Sequence, residues 1–157
     1  MFFLYQILIL ILLILSPIII SFRILKKKED AKRFKEKFCI PSKKRVAGNL
    51  IWFHGSSVGE LLSVIPLINQ LEKNKHINQI LITSSTLSSA EIFKNYKFKK
   101  VVHQFFPIDF FLYSYKFLNY WQPTITIFIE SEIWPSIFRA LNKKKIPLLL
   151  LNARITK

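Results

Sequence analysis

Six residues, Gly55-Ser56-Ser57-Val58-Gly59-Glu60, set a carboxylate at a glycine-flanked turn between the apolar runs Leu50-Ile51-Trp52-Phe53-His54 and Leu61 to Leu71. The order reads as strand, tight turn, then helix. A helix start offers unpaired N–H groups and the positive end of the backbone dipole, so an anionic group can sit there while Glu60 stays ionised beside it. An ionised carboxylate so placed suits proton abstraction, and it equally suits plain capping of the helix. Two of the chain's three glycines fall in this turn, which predicts unusual dihedrals or a close approach to a ligand. Neither the phosphate-loop ending nor the dinucleotide G-x-G-x-x-G order is present. The second group is Glu130-Ser131-Glu132-Ile133-Trp134-Pro135, two carboxylates two residues apart beside a tryptophan. Either they face a reacting centre, or Glu132 caps the helix that follows while Glu130 pairs with a lysine. Two carboxylates in different surroundings are what acid–base chemistry requires.

The elements that must position these groups follow from residue 49 onward. Asn49 to His54 reads as a buried strand, and a helix runs from near Val58 to about Lys73 with Leu61, Val64, Ile65, Ile68 and Leu71 on one face and a bend at Pro66. Ile77 to Thr83 is a second strand, followed by Ser84-Ser85-Thr86 and Ser88 as turn and cap residues for a short helix ending near Tyr96. Val101 to Phe105 is a third strand, closed by Pro107. Asp109 is placed to cap a helix over Phe110 to Tyr120. Ile125 to Ile129 and Ile146 to Leu151 are further strands, flanking a helix over Trp134 to Asn142 with Pro135 in its first turn. Continuous apolar strands alternating with helices predict an α/β fold with a mostly parallel sheet covered on both faces. Ligands bind such sheets beyond the carboxyl ends of the strands. That rule selects His54 to Glu60, Ser84 to Ser88, Phe106 to Asp109, Glu130 to Trp134 and Asn152 to Arg154, and puts Glu60 and Glu130 on one edge.

Ahead of this domain the chain is of another kind. No side chain from Met1 to Phe22 is charged, and Phe2 to Phe22 is nearly all Ile, Leu and Phe, long enough to cross the hydrocarbon core as a helix. No basic segment precedes it and no small-residue cleavage site follows, which separates it from a cleaved signal peptide. Between Arg23 and Lys37 stand eight Lys or Arg against Glu29, Asp30 and Glu36, which predicts a single-pass anchor with Met1 outside and the remainder in the cytoplasm, held against anionic lipid. The organisation is then a membrane anchor over residues 1–22, a basic juxtamembrane segment over 23–48, and a catalytic-type domain over 49–157.

Composition excludes more than it assigns. The formal charge is +15, but the 24 basic residues are overwhelmingly lysine, and no aromatic–basic interleaving or recognition module points to nucleic acid. The lone Cys39 excludes an internal disulfide, and His54, His76 and His103 lie in separate elements, so no metal or other cofactor is expected.

Taken together, four blocks are recognisable: Trp52 to Glu60; Ile82-Thr83-Ser84-Ser85-Thr86; Phe106-Pro107-Ile108-Asp109; and Glu130 to Pro135 leading to Ile146-Pro147 and Asn152-Ala153-Arg154. In this order the chain resembles the N-terminal half of the 3-deoxy-D-manno-octulosonic acid (Kdo) transferases, which move Kdo from CMP-Kdo onto a lipid A precursor in lipopolysaccharide synthesis. The resemblance implies the first of the two Rossmann-like halves of a GT-B glycosyltransferase, with the C-terminal donor-binding half outside this chain. It implies an inverting, metal-independent enzyme at the bacterial inner membrane, with Glu60 as proton acceptor and Glu130 as transition-state stabiliser. Ser57, Gly59, Thr86, Asp109 and Arg154 are the substrate-binding residues it points to. Departures are Gly55 for the family's Ala or Ser, Ser136 for its Asn, and Cys39-Ile40 where a glycine is common. The alternative reading is an inactive anchored remnant, or an acceptor-binding half that needs a separate donor-binding partner.

Overall fold

The computed structural model describes residues 2–130 and 133–152. These form a five-stranded, wholly parallel sheet: β1 (Leu50–His54), β2 (Gln79–Ser84), β3 (Val101–Phe105), β4 (Ile125–Ile129) and β5 (Leu148–Leu151), in the order β3-β2-β1-β4-β5. Each strand pairs in parallel register, with His54 beside Thr83 of β2 on one side and Phe128 of β4 on the other. The α/β fold predicted from the apolar strand–helix alternation is the fold found.

The pleat divides the core in two. Along β1, Leu50 and Trp52 face one layer while Phe53 faces the other; Leu81 opposes Ile80 and Ile82 on β2, and Phe128 opposes Ile127 and Ile129 on β4. The first layer is closed by α5 (Phe111–Trp121) and α6 (Pro135–Lys143) through Phe117, Trp121, Ile137 and Leu141. The second is closed by α2 (Val58–Ser63), α3 (Ile65–Lys73) and the turn after α4 (Leu87–Ile92) through Leu61, Val64, Ile68 and Phe93. Trp52 is fully buried between Phe117 and Phe128, with ring centroids at 4.8 and 5.4 Å, and its truncation to alanine would cost about 3–5 kcal/mol.

Several local expectations shift, the second strand running over Gln79–Ser84 rather than Ile77 to Thr83. The helix predicted from Val58 to Lys73 is two helices with the break at Val64, because Pro66 lacks an N–H and is accommodated in the first turn of α3 rather than in a helix interior. The last strand starts at Leu148 rather than Ile146; Pro147 contributes its carbonyl, which accepts from the Thr126 amide at 2.9 Å, but has no amide to give. Asp109 does not cap the helix that follows it. α5 has no side-chain cap, and extended backbone at Phe110 turns the Asp109 carboxylate toward α6, where Oδ2 and Oδ1 accept from the Ser136 and Ile137 amides at 2.9 Å each.

Before the sheet, α1 (Phe2–Leu25) is a 24-residue helix containing Pro17, long and apolar enough to cross a membrane. A 3-10 turn over Phe34–Phe38 follows and ends at Cys39 with φ 57. That left-handed conformation is the one glycine adopts most easily, which accounts physically for a glycine being at home where Cys39 stands.

Candidate active site

Ser57 caps α2, its hydroxyl accepting from the Glu60 amide at 3.2 Å. Glu60 in turn reaches back, and its Oε2 accepts from the Ser56 amide at 2.8 Å. The spacing is that of a reciprocal capping pair, shifted by one residue at the backbone end. Glu60 is buried, yet only one carboxylate oxygen is engaged among the described residues. One oxygen fixes the side chain and the other remains to accept a proton. Ser57 and Gly59 are exposed at the lip above it.

Gly55 acts through space rather than through its dihedrals. Neither Gly55 nor Gly59 has a positive φ, so the expected unusual backbone is not what they supply. A Cβ on Gly55 would lie 3.0 Å from Leu61 Cδ2, 3.1 Å from Ile129 Cδ1 and 3.3 Å from Glu60 Cβ, whereas one on Gly59 would meet nothing within 4 Å. Gly55 therefore lets the turn after β1 close directly against Ile129, the residue before Glu130.

Glu130 is held differently. It follows the last residue of β4 with φ 62, its amide donates to the Leu151 carbonyl at 2.7 Å, and its side chain is exposed. A non-glycine residue in that region carries about 1–3 kcal/mol of strain, and such strain concentrates at working sites. The sheet order explains why both turns belong together. From β1 the chain proceeds outward to β2 and β3, then crosses back to β4 on the other side of β1, so the reversal of winding lies between β1 and β4. In open parallel sheets that reversal opens the ligand crevice.

Beneath these strand ends lies a buried polar cluster. Thr83 Oγ1 lies 2.8 Å from Trp52 Nε1, 2.9 Å from His54 Nδ1 and 3.3 Å from the Phe53 carbonyl. The indole only donates, so Thr83 Oγ1 accepts from Trp52, and its single hydroxyl hydrogen is shared between the Phe53 carbonyl and the imidazole side. Burial pushes His54 down to about 3, and its neutral ring stacks on Phe106 with centroids 4.0 Å apart. A second buried chain supports β2. Glu36 accepts from Arg33 at 2.8 and 3.0 Å, from the Phe105 amide at 2.7 Å and from the Ser42 hydroxyl. Arg33 donates to His103 Nδ1 at 3.0 Å, so Nε2 donates to Ser84 Oγ at 2.8 Å. Burial, then the Arg33 and Lys43 charges, hold His103 at about 3.

Of the residues singled out in the sequence, Glu60, Ser57 and Gly59 share one turn. Thr86 caps α4 by accepting from the Ser89 amide at 3.2 Å, and Ser89 Oγ donates to the Ser56 carbonyl at 3.3 Å, which ties the α4 start to that turn. Glu130 stands at the neighbouring strand end. Asp109 is buried under α6 and also accepts from Tyr5 Oη at 2.7 Å; burial raises its carboxyl, and these hydrogen bonds oppose the rise. Arg154 and Glu132 lie outside the described residues. Ser56, Thr83 and Ser84 stand within stretches the sequence singles out, but sequence reasoning gave no role to Ser56 as a donor to Glu60, to Thr83 as a hub, or to the Arg33–Glu36–His103–Ser84 chain. The Ser57-x-x-Glu60 spacing signalled the first of these; nothing local signalled the others, whose partners are distant in sequence.

Comparison with known proteins agrees on one family. Residues 32–157 match a family model described as 3-Deoxy-D-manno-octulosonic-acid transferase (kdotransferase). The chain is 41% identical over 144 residues to a probable mitochondrial 3-deoxy-D-manno-octulosonic acid transferase of Arabidopsis thaliana, covering 90% of this chain and 32% of that protein. It is 40% identical over 153 residues to the 3-deoxy-D-manno-octulosonic acid transferase of Rickettsia bellii, covering 98% and 36%, and 32% identical over 106 residues to that of Haemophilus influenzae, covering 68% and 25%. The chain thus spans about a third of the length of the first two of these relatives.

Proposed function

This chain belongs to the 3-deoxy-D-manno-octulosonic acid transferase family, and on that premise we propose that it forms the acceptor-activating half of an enzyme transferring Kdo from CMP-Kdo to a lipid A precursor. Glu60 takes the proton from the acceptor hydroxyl as its oxygen bonds to the anomeric carbon of Kdo. The bond from that carbon to the CMP oxygen breaks, CMP leaves with the electron pair, and configuration inverts. Glu130 stabilises positive character developing at the sugar. CMP is a good leaving group in its own right, so the reading assigns no Lewis acid to its departure. Ser57, Gly59 and Thr86 border the acceptor, Arg154 contributes from beyond β5, and Asp109 acts by fixing α6. The donor is bound by a C-terminal half, and α1 holds the protein at the cytoplasmic face of a bacterial inner membrane.

The observation that carries this reading is the buried Glu60, fixed through one oxygen by the Ser56 amide and set at the reversal of strand order against the strained Glu130 turn. The test is Glu60→Gln in the chain completed with its donor-binding half, following CMP release and Kdo-modified lipid in membranes. Turnover is expected to fall at least about a hundredfold, the usual contribution of a general base, with thermal unfolding unchanged. Near-normal turnover would remove Glu60 as base. An unmutated, completed protein that binds acceptor but transfers nothing would favour the acceptor-binding alternative.

A further inference from the structure

Resting on the reading that the protein works at a membrane, we propose that α1 lies in the plane of the membrane surface, clamped to the domain by one face and immersed in lipid by the other. One stripe of the helix is covered: Phe2, Tyr5, Ile9, Leu13, Ser16 and Ile20, at spacings of three and four residues. Its first turns are fastened by polar contacts. Tyr5 donates to Asp109 at 2.7 Å, Gln6 Nε2 donates to Ser136 Oγ at 2.7 Å, and the Phe111 amide donates to Gln6 Oε1 at 3.0 Å. The Arg139 guanidinium lies 4.7 Å from the centre of the Phe2 ring. At the other end Arg23 and Lys37 converge on the buried Glu29 at 3.2 and 2.6 Å, and Ile20 and Ile24 face Phe34 and Phe38.

Both ends of a helix about 36 Å long are therefore pinned to one domain. A helix crossing the bilayer would carry its first turn roughly 30 Å from its last, through hydrocarbon, and away from Asp109 and Ser136. Both attachments also sit at the carboxyl edge of the sheet: Asp109 and Ser136 follow β3 and β4, and the Phe34–Phe38 turn is tied to the end of β3 through Glu36 and the Phe105 amide. The same edge carries Glu60 and Glu130, so the crevice opens at the headgroup layer.

The outer face needs a cover. Phe3, Ile14 and Leu25, at the start, middle and end of α1, are 78%, 71% and 81% exposed, on nearly the same side of the helix. Near its end, Arg23, Lys26 and Lys28 rim a groove of about 480 Å³ floored by Ile18, Ile19 and Phe22, which suits an anionic lipid with its chain on the apolar floor and its phosphate at the cations. A helix apolar on every side is what this arrangement calls for, since protein covers one side and hydrocarbon the other.

Cys39 makes the test direct. It is the only cysteine, it is buried, its thiol donates to the Tyr113 carbonyl at 3.1 Å, and burial pushes it up to about 12, so it does not compete for labels. A fluorophore is placed through Phe3→Cys, Ile14→Cys or Leu25→Cys in the full chain, bound to vesicles of phosphatidylethanolamine and phosphatidylglycerol carrying quenchers at graded depths. The in-plane helix is expected to give one shallow depth at all three positions, within the roughly 5–10 Å of an interfacial helix. A deep Ile14 with Phe3 and Leu25 at opposite surfaces, about 15 Å from it, would overturn the proposal while leaving membrane attachment intact. Failure to bind the vesicles would overturn both, and protection of the same positions by dimer formation without lipid would replace the membrane with a second copy.

Discussion

After β1 the chain enters α2 through unstrained backbone, with Ser57 and Glu60 satisfying each other's neighbourhood and the carboxylate buried; after β4 it turns through Glu130 at φ 62 and leaves the carboxylate exposed. The two glutamates stand at adjacent strand ends, one held by hydrogen bonds and the other by a forced main-chain angle. In the proposed roles, a base must keep one orientation while it takes the acceptor's proton, and a hydrogen bond to one oxygen serves this. A stabiliser of developing charge, the role proposed for Glu130, needs placement at the open strand end, and the turn with φ 62 serves that.

Breaking the comparison most severely means changing each carboxylate's support. Glu60→Asp keeps the charge but withdraws it by one methylene, so the Ser56 contact and the acceptor cannot be served together; a loss of turnover of about a hundredfold is expected, with little change in unfolding midpoint. Glu130→Gly should lose turnover by a similar factor yet gain about 1 kcal/mol of stability in urea unfolding, because glycine relieves the left-handed strain. Opposite signs on activity and stability at Glu130 alone would sharpen the contrast, and a destabilised Glu130→Gly would break it. Next in size is Asp109→Asn, expected to cost roughly 2 kcal/mol, since an amide nitrogen would face one of the two α6 amides and lose a buried bond.

The buried polar cluster beneath these strand ends responds to pH. His54 and His103 are held neutral with folded values near 3 against an ordinary 6.5, so the unfolded chain binds more protons below pH 6.5 and stability falls as pH drops from there toward 3. By pH 5 the loss is about 2 kcal/mol for each histidine. His103→Gln should flatten this dependence in urea titrations at pH 7.5 and 5. Smallest is Gly59→Ala, expected to add about 0.5 kcal/mol because the methyl meets nothing and the unfolded chain is stiffened. The same methyl at the lip of the crevice should raise the acceptor's KM.

The architecture was legible because it rests on local patterns. Val101–Phe105 and Ile125–Ile129 were bounded correctly by apolar runs between turn residues, and the register that brings Glu60 and Glu130 to one edge follows from a parallel sheet alone. What the sequence hid depends on partners far along the chain. Asp109 looked like the cap of the helix beside it, but its carboxylate is turned to α6 and to Tyr5, 27 and 104 residues away. Gly55 suggests either unusual dihedrals or a close approach to a ligand, and the structure shows a packing requirement, visible only once Ile129 is placed against it. Pro66 signalled a bend, and the structure resolves that bend as a helix start.

The tryptophans give the crevice its own optical reporter. Trp52 and Trp121 are sealed in the core with no exposed surface, so their emission is indifferent to solutes in the solvent. Trp134 is half-buried beside the Glu130 turn, its ring 5.0 Å from Phe106 and 6.1 Å from His54. Iodide quenching of this chain therefore reads one indole out of its three, and any ligand that shields it announces its arrival without a label.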